Sequence, residues 1–328
     1  DCQLKPDVAA ALAGSWFDRD EVDVIIDLPQ TAVALAVLEA AARRDRTTLI
    51  CGATASVLTG KACTAANVHW VEDTYAMATA LCPPVVEAGR KDWFFITADY
   101  AFGHELQAQA TEAITAAGGR VVGTALHPFG NADFAPFLLQ AQAAGAQVVA
   151  LANVGTDLIT SIKQGAEFGL TRQGRAMVGF LVFIDDVQAL GAEATEGMYV
   201  ISGFYWDQND ESRAFARRFL QEVGRMPSKE QASCYAATRH YLRAVERAGS
   251  TATEAVARAM RAAPIDYFGR RGQIRADGRA VYDLTLFQVK RPSEMREAWD
   301  FYQPVRTVPA AQAFRPLNAG SCPLVGKS

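Results

Sequence analysis

The sequence predicts an α/β protein built on doubly wound parallel sheets, and three observations lead to this fold class. Short runs of β-branched and aromatic residues alternate with longer Ala-rich segments of helical period, which is the pattern of consecutive βαβ units. The strand-like runs are apolar almost throughout, which is typical of parallel strands covered by helices on both faces. The chain has 328 residues, a length that accommodates two domains.

Strands and helices alternate through the first half of the chain. Apolar runs predict strands at 22–27, 47–50, 92–97, 120–126 and 146–152. Segments of helical period predict helices at 31–44, 103–117, 133–145 and 157–169. Right-handed crossovers between parallel strands would place these helices on the two faces of the sheet.

The second half departs from this alternation. A strand near 197–210 runs into an aromatic and acidic loop, and residues 269–290 are predicted to form a β-hairpin with Ala-Asp-Gly at its turn. Residues 291–328 are expected to form an irregular tail laid over the surface. Helices are predicted at 210–223, 231–248 and 251–263.

The composition argues against several function classes. Hydrophobic residues make up 50% and charged residues 21% of the chain, which is ordinary for a globular protein. With a net charge of −4 there is no basic surface for a phosphate backbone, so no nucleic-acid partner is expected. No apolar run approaches the length of a membrane span. The chain opens at Asp1 without Met, and a targeting segment is expected upstream in the natural product.

The six cysteines show no metal-binding spacing. None forms a CxxC pair and only four His occur, so a zinc or iron–sulfur site is not expected. Most are expected to be buried free thiols. Cys63 and Cys322 both lie in loop-like sequence flanked by Gly and Pro, and a disulfide between them would tie down the tail and imply an oxidising compartment.

Candidate site residues follow the predicted strands, because ligands of open parallel sheets bind beyond the carboxyl ends of the strands. Gln30 and Thr31 follow the first strand at a helix start, and Gly52, Ala53 and Thr54 follow the second in a turn of small residues. Backbone N–H groups and hydroxyls at such turns suit an anion, for example a carboxylate. The alternative is that Thr31 and Thr54 only cap their own helices.

The third predicted strand ends in the most polar of these turns. Asp99, Tyr100 and His104 suit either acid–base chemistry or the rim of a binding cleft. However, no nucleophile elbow, phosphate loop or dinucleotide fingerprint follows any strand. Asp185 and Asp186 are expected to cap a helix rather than to bind a metal. The sequence therefore predicts neither an enzyme nor a cofactor.

The order of these segments and their residue sequences resemble a known family. The runs VDVIIDLPQTAVALAV, CGATASVLTG and ITADYAFGHE are similar to segments of the leucine/isoleucine/valine-binding proteins, the type I periplasmic solute-binding proteins of ABC transporters. Within that family the chain resembles the branch that binds lignin-derived aromatic acids. The resemblance implies that the family's first strand and helix, with the ligand-contacting loop between them, are missing from the start of this sequence.

The resemblance implies two lobes that close on a ligand by hinge motion. Lobe one would combine 1–72 with 204–290, lobe two would be 73–203, and the tail 291–328 would cross back over the lobes. The hinge crossings are expected near 71–73, 202–204 and 289–291. The implied partner is a membrane permease, the implied location is the periplasm, and a monomer is expected.

The resemblance also implies where the ligand is held. In amino-acid binders of the family, the carboxylate is bound at the positions of Gln30, Thr31, Gly52 and Thr54. The ammonium group is bound by two Tyr and one Glu, whose positions here fall near Phe102, Val154 and Leu181. The aromatic remains, but the second Tyr and the Glu are replaced by apolar residues.

Burying an unpaired ammonium would cost several kcal/mol, so we expect a small aromatic carboxylic acid instead. Asn153 is expected to bond a ring hydroxyl, and Phe180 and Phe183 either stack on the ring or belong to the core. Branched-chain or other amino-acid binding and a receptor sensor domain are the alternatives, and an enzyme using Asp99, Tyr100 and His104 is the least favoured one. Expected ring contacts are Tyr100, Phe102, Phe180 and Phe183.

Overall fold

A computed structural model describes residues 1–171 and 174–326. The N-terminal part forms a parallel sheet of three strands in the order β1-β2-β3. Pro6 opens the first helix, where its missing N–H leaves no helical bond unmade. The elements are α1 (Pro6–Arg19), β1 (Val24–Asp27), α2 (Thr31–Ala42), β2 (Thr47–Ile50) and β3 (Asn67–His69).

The middle of the chain supplies five strands of a larger sheet. They pair parallel in the spatial order β8-β7-β6-β4-β5, and β6 is buried at every position, as a central parallel strand should be. The elements are α3 (Thr74–Glu87), β4 (Asp92–Ala98), α4 (Ala101–Ala116), β5 (Arg120–His127), α5 (Ala135–Ala143), β6 (Val148–Ala152), α6 (Gly155–Glu167), β7 (Ala176–Gly179), α7 (Ile184–Leu190), α8 (Ala192–Thr195) and β8 (Tyr199–Ser202).

The chain then returns to the first sheet. Helix α10 packs against β1 and β2, and a capping box of Ser228 and Gln231 starts it. The elements are α9 (Asp210–Val223), α10 (Lys229–Ala248), α11 (Thr253–Ala262), β9 (Ile265–Tyr267), β10 (Arg270–Ile274), β11 (Ala280–Val281), β12 (Leu284–Val289), β13 (Tyr302–Val308) and α12 (Ala310–Ala313).

The predicted fold class is confirmed, but the hairpin prediction over 269–290 is only half right. Strand β10 does pair antiparallel with β11. Strand β12 instead pairs antiparallel with β8, with Thr285 opposite Ser202, because the edge of β8 offers unpaired backbone groups to a long apolar strand. Residues 284–289 therefore join the seven-stranded sheet and not the lobe that was predicted to contain 204–290. The remaining lobe boundaries stay predictions.

The tail is more regular than the sequence suggested. Strand β13 pairs antiparallel with β12 and closes one edge of the seven-stranded sheet. Its sequence contains Pro304, which cannot donate to a ladder and which edge strands tolerate. A register shift between Leu286 and Phe287 lies opposite this region. The proline and the bulge explain why the strand carries no clean alternating pattern.

Three chain segments cross between the sheets and are bonded to one another. The Glu72 carboxylate accepts from the Gly203 amide. The Tyr282 hydroxyl donates to the Trp70 carbonyl at 2.8 Å, and the Arg279 guanidinium donates to the carbonyl of Val71. Strand β11 pairs with β10 and strand β12 pairs with β8, so the third crossing lies at 282–283. The sequence predicted it near 289–291.

The tail is fastened over these crossings. Cys63 and Cys322 form a disulfide, the pairing considered from the sequence. The Phe314 ring lies 5.8 Å from that of Tyr282 and 4.8 Å from the Arg279 guanidinium carbon. The tail thus covers the side of the crossings that would otherwise meet solvent.

Candidate functional site

The carboxyl ends of both parallel sheets meet near the start of α10. The pKa of Glu230 is raised to about 7, chiefly by burial and also by the charges of Asp27, Glu72 and Asp186, while the charge of Lys229 opposes the shift. Asp27 ends β1 in the three-stranded sheet, and Asp186 follows β7 in the seven-stranded sheet. Groups from both edges therefore act on one carboxyl, and the cleft between these edges is the candidate site.

The turn after β1 is held in a strained conformation. Asp27 and Leu28 have φ angles of +86° and +59°, which non-glycine residues rarely adopt. Their carbonyls accept from the amides of Cys51 at 2.8 Å and Ala53 at 2.9 Å. Burial also raises the pKa of Asp27. Such strain persists only where the surroundings enforce it, and it is common at binding sites.

The predicted anion-binding positions lie in and beside this turn. The Gln30 side chain accepts from the Val33 amide at 2.8 Å and caps α2, so this residue and not Thr31 is the cap. A Cβ on Gly52 would lie 2.6 Å from the Pro29 Cα, so only glycine fits this crossing of the two turns.

Ala53 and Thr54 complete the turn, and both are buried. The Thr54 carbonyl accepts from the Thr74 amide at 3.0 Å, and the Ala53 carbonyl is 2.7 Å from the His69 Nε2. Thr54 caps no helix, because the next helical turn begins at Ser56. The structure thus favours a backbone role for this turn and leaves its carboxylate contact a prediction.

Three aromatic rings form a rim after β4 and β5, which we call the aromatic lip: Tyr100, Phe102 and Phe129. The rings of Tyr100 and Phe102 stack with centroids 6.2 Å apart at 27°, and the ring of Phe129 meets that of Tyr100 at 6.4 Å and 73°. Burial, and then the charge of Asp157, raise the pKa of Tyr100. Sequence reasoning missed Phe129; the signal was an aromatic residue placed beside Gly and Asn in a strand-end loop.

The same turn holds the pair considered for acid–base chemistry. The His104 Nε2 lies 2.9 Å from the Asp99 carboxylate, with side-chain exposures of 49% and 56%. Both groups are in contact with water, and His104 lies in the first turn of α4. This arrangement is that of a solvent-exposed, hydrogen-bonded pair at a helix start rather than of a shielded catalytic dyad.

A buried polar network lies behind the aromatic lip. The His127 Nδ1 is 2.9 Å from the Pro128 carbonyl, which fixes it as the donor and leaves Nε2 to accept from the Asn153 amide at 3.2 Å. Asn153 also donates to the Ser161 hydroxyl at 3.0 Å. Among the described residues, the Oδ1 atoms of Asn153 and Asp157 have no hydrogen-bond partner. The predicted bond from Asn153 to a ring hydroxyl stays a prediction.

The remaining predicted contacts divide between core and cleft. Phe180 is fully buried, and its ring stacks on that of Phe95 with centroids 6.4 Å apart at 9°. Of the two predicted roles, core packing agrees with this position. Val154 and Leu181 are half buried just beyond β6 and β7, which are neighbours in the sheet. Phe183 is half buried at the start of α7. Its amide donates to the Asp186 carboxylate at 2.9 Å, which gives that residue the expected capping role.

A buried lysine that sequence reasoning missed lies at the back of the cleft. The Lys229 amine is 3.3 Å from the Ile201 carbonyl, 3.8 Å from the Glu72 carboxylate and 5.8 Å from the Phe183 ring centre. It joins α10 to β8 and to the first crossing between the sheets. The capping box at 228–231 signalled a helix start, but nothing local predicted burial of the lysine.

Neither a metal cluster nor a membrane helix is found in the described part of the chain. Over residues 1–171 and 174–326, no three His, Cys, Asp or Glu side chains are grouped to hold a metal ion. Within the same ranges, every helix is too short or too polar to span a bilayer.

Two α/β units that share a cleft at the carboxyl ends of their strands define the class of two-lobed solute-binding proteins. The sequence matches the family described as periplasmic binding protein over residues 1–294, and the chain belongs to that family. The family resemblance seen in the sequence is thereby confirmed. Members of this family are extracytoplasmic solute-binding proteins.

Solved structures place the chain among such proteins. A periplasmic binding protein from Burkholderia mallei is 40% identical with a TM-score of 0.91, and the match covers 99% of this chain and 86% of that one. A branched-chain amino acid ABC transporter periplasmic ligand-binding protein from Burkholderia xenovorans LB400 is 34% identical with a TM-score of 0.92, over 99% and 87% of the two chains.

More distant comparisons are consistent with this. A solute-binding protein from Rhodopseudomonas palustris BisB5 in complex with 3,4-dihydroxybenzoic acid shares the fold at 21% identity and a TM-score of 0.85, over 94% and 85% of the chains. The Leu/Ile/Val-binding protein homolog 6 of Brucella melitensis biotype 1 is 26% identical over 65% of this chain. The match spans 50% of that relative's length.

Proposed function

We propose that this protein captures a small aromatic carboxylic acid, benzoate- or p-coumarate-like, and delivers it to the permease of an ABC importer. The observation that carries this proposal is the aromatic lip. Tyr100 is half buried and stacked on Phe102, so the end of β4 offers flat ring surface at the edge where ligands of parallel sheets bind. No chemistry on the ligand is proposed.

The cleft near β6 and β7 supports the same ligand class. Val154 and Leu181 are half buried and apolar there, at positions where amino-acid binders of the resembled family use Tyr and Glu. An ammonium group buried against these two side chains would lack a counter-charge, at a cost of several kcal/mol. The neutral body of an aromatic acid has no such requirement.

The opposite side of the cleft would hold the carboxylate. The turn at 52–54 is built from small residues, and Thr31 opens α2 with a half-buried hydroxyl. Hydroxyls and backbone amides at a helix start favour an anion. Ring and carboxylate would then contact opposite sheets, so that binding favours closure of the cleft.

A second candidate, an amino acid, is favoured by the acidic groups between the sheets. Burial raises the pKa values of Asp27, Asp186 and Glu230, and an ammonium group near them would relieve this penalty. The Burkholderia xenovorans protein that is 34% identical is described as a branched-chain amino acid ABC transporter periplasmic ligand-binding protein. The two candidates differ in which residues would meet the distal end of the ligand.

The experiment that separates them begins with mass spectrometry of the ligand released when purified protein is denatured. Thermal shift and calorimetry with benzoate, p-coumarate, 3,4-dihydroxybenzoate and leucine follow, because a ligand of the folded state raises its stability. An aromatic acid recovered unchanged supports the proposal. Leucine binding without any aromatic acid binding contradicts it, and a converted acid would indicate an enzyme.

A variant sharpens the distinction. Leu181→Glu supplies a carboxylate where the apolar side chain now lies, so it should weaken the aromatic acid at least tenfold, about 1.4 kcal/mol, and strengthen leucine. Leu242→Glu, at a side chain that is 58% exposed on α10, is the matched control and should change neither affinity. Equal behaviour of the two variants would place Leu181 outside the site.

A further inference from the structure

Phe129 is the most exposed of the large apolar side chains, at 81%. It lies in the loop between β5 and α5, and its ring centre lies 6.4 Å from that of Tyr100 at the rim of the cleft. An aromatic ring left in water is unfavourable in a free solute-binding protein. A side chain so placed, beside a binding cleft, gains most when a ligand covers it.

The loop that carries this ring is bonded at several points. The Gly130 amide donates to the buried Asp157 carboxylate at 3.1 Å. The Gln164 side chain accepts from the Phe134 amide at 2.7 Å and donates to the Ala132 carbonyl at 3.0 Å. The backbone on the C-terminal side of Phe129 is thus tied to α6, and the ring projects from an anchored loop.

The two rings of Tyr100 and Phe129 form a corner, because the angle between their planes is 73°. A third flat ring placed against such a corner stacks on one ring and meets the other edge to face. Both geometries are favourable between aromatic rings. A saturated ring of similar size has neither a flat face nor a quadrupole and gains only from burial.

We propose that Phe129 is a specificity-determining residue that contacts the ring of the bound acid and selects aromatic over saturated acids. This inference rests on the proposed function and deepens it. Tyr100 forms one side of the corner and Phe129 the other, so the aromatic lip favours a ligand with a planar ring. The carboxylate of the ligand would still bind at the opposite, three-stranded sheet.

The test is calorimetry of the wild type, Phe129→Ala and Phe129→Leu with benzoate, p-coumarate and cyclohexanecarboxylate. Phe129→Ala should weaken the preferred aromatic acid about tenfold, or about 1.4 kcal/mol. Phe129→Leu keeps apolar area but loses the ring, so it should lower the ratio of aromatic to saturated affinity about threefold or more. Leu139→Ala, 52% exposed on the next helix, is the control.

The outcomes distinguish this inference from the proposed function. If the wild type binds an aromatic acid and Phe129→Ala binds it within twofold, the inference is overturned and the proposed function stands. Equal losses for aromatic and saturated acids would assign Phe129 to closure of the cleft and also overturn it. If no aromatic acid binds the wild type, the proposed function fails and this inference fails with it.

Discussion

The hinge network and the turn after β4 each contain a basic side chain paired with a carboxylate, but in opposite surroundings. We define the hinge network as Glu72, Gly203, Lys229, Arg279 and Tyr282. Its Lys229–Glu72 pair has side-chain exposures of 5% and 2%, whereas the His104–Asp99 pair has 49% and 56%.

This difference in burial suggests that one region contributes mainly to the stability of the fold and the other mainly to the choice of ligand. Removing one member of a buried pair leaves an uncompensated charge, while an exposed pair is screened by water. The hinge network should therefore determine the free energy of unfolding, and the lip should determine which ligand binds. Substitutions in the two regions test this division.

The largest effect is expected for Lys229→Met. The change leaves the Glu72 carboxylate buried without its cation, so the free energy of unfolding should fall by about 3–5 kcal/mol. Urea denaturation measures the loss. Adding Glu72→Gln should restore part of it, and Arg258→Met, in an exposed pair, should cost less than about 1 kcal/mol. Equal losses in the Lys229 and Arg258 variants would contradict the division.

Cutting the disulfide should have the next largest effect. Cys322→Ser releases the tail from Cys63 and should lower the free energy of unfolding by about 2–4 kcal/mol. The loss should appear in urea denaturation without reductant. Dithiothreitol should lower the free energy of unfolding of the wild type to that of the variant. A variant that is further destabilised by dithiothreitol would show that a different bond is being reduced.

Glu230, next to Lys229 at the start of α10, should give a pH dependence. Its pKa is raised by burial to about 7 from 4.5, so the folded protein holds this proton to higher pH than the unfolded chain. The stability it contributes is complete below about pH 4.5 and is lost as the pH rises through 7, a fall of about 3 kcal/mol.

Denaturation at several pH values checks this contribution of Glu230. Glu230→Gln should remove the fall between pH 4.5 and 7 and leave the protein more stable than the wild type at pH 8. Glu254→Gln, at a side chain that is 89% exposed, should keep the wild-type profile. A Glu230→Gln profile parallel to that of the wild type would assign the pH dependence to other carboxyls.

The sequence predicted the parallel strands well because they are continuous apolar runs. The predicted strands at 22–27, 47–50 and 92–97 differ by at most two residues from β1, β2 and β4. Burial on both faces leaves this local signature in the sequence. The choice of β8 as the partner of β12 is a competition between distant edges, which no local pattern records.

The candidate site was predicted unevenly for a related reason. Tyr100 and Gly52 could be proposed from the sequence because they follow recognisable strands. Lys229 and Glu72 were missed because their pairing depends on segments that are far apart in the chain. Phe129 was missed because its loop has no periodic pattern, and only its ring contact with Tyr100 marks it.

The smallest effect is expected for the exposed pair in the turn after β4. His104→Ala should change the free energy of unfolding by less than about 1 kcal/mol, because both groups are solvated and water competes for their hydrogen bond. Affinity for the ligand should change less than for Phe129→Ala, since the imidazole bonds Asp99 rather than the aromatic lip. Calorimetry and urea denaturation of His104→Ala and Asp99→Asn measure both quantities. Loss of binding in these two variants, with Phe129→Ala unaffected, would show that the ligand contacts the His104–Asp99 pair and not the aromatic lip, and would contradict the division between the two regions.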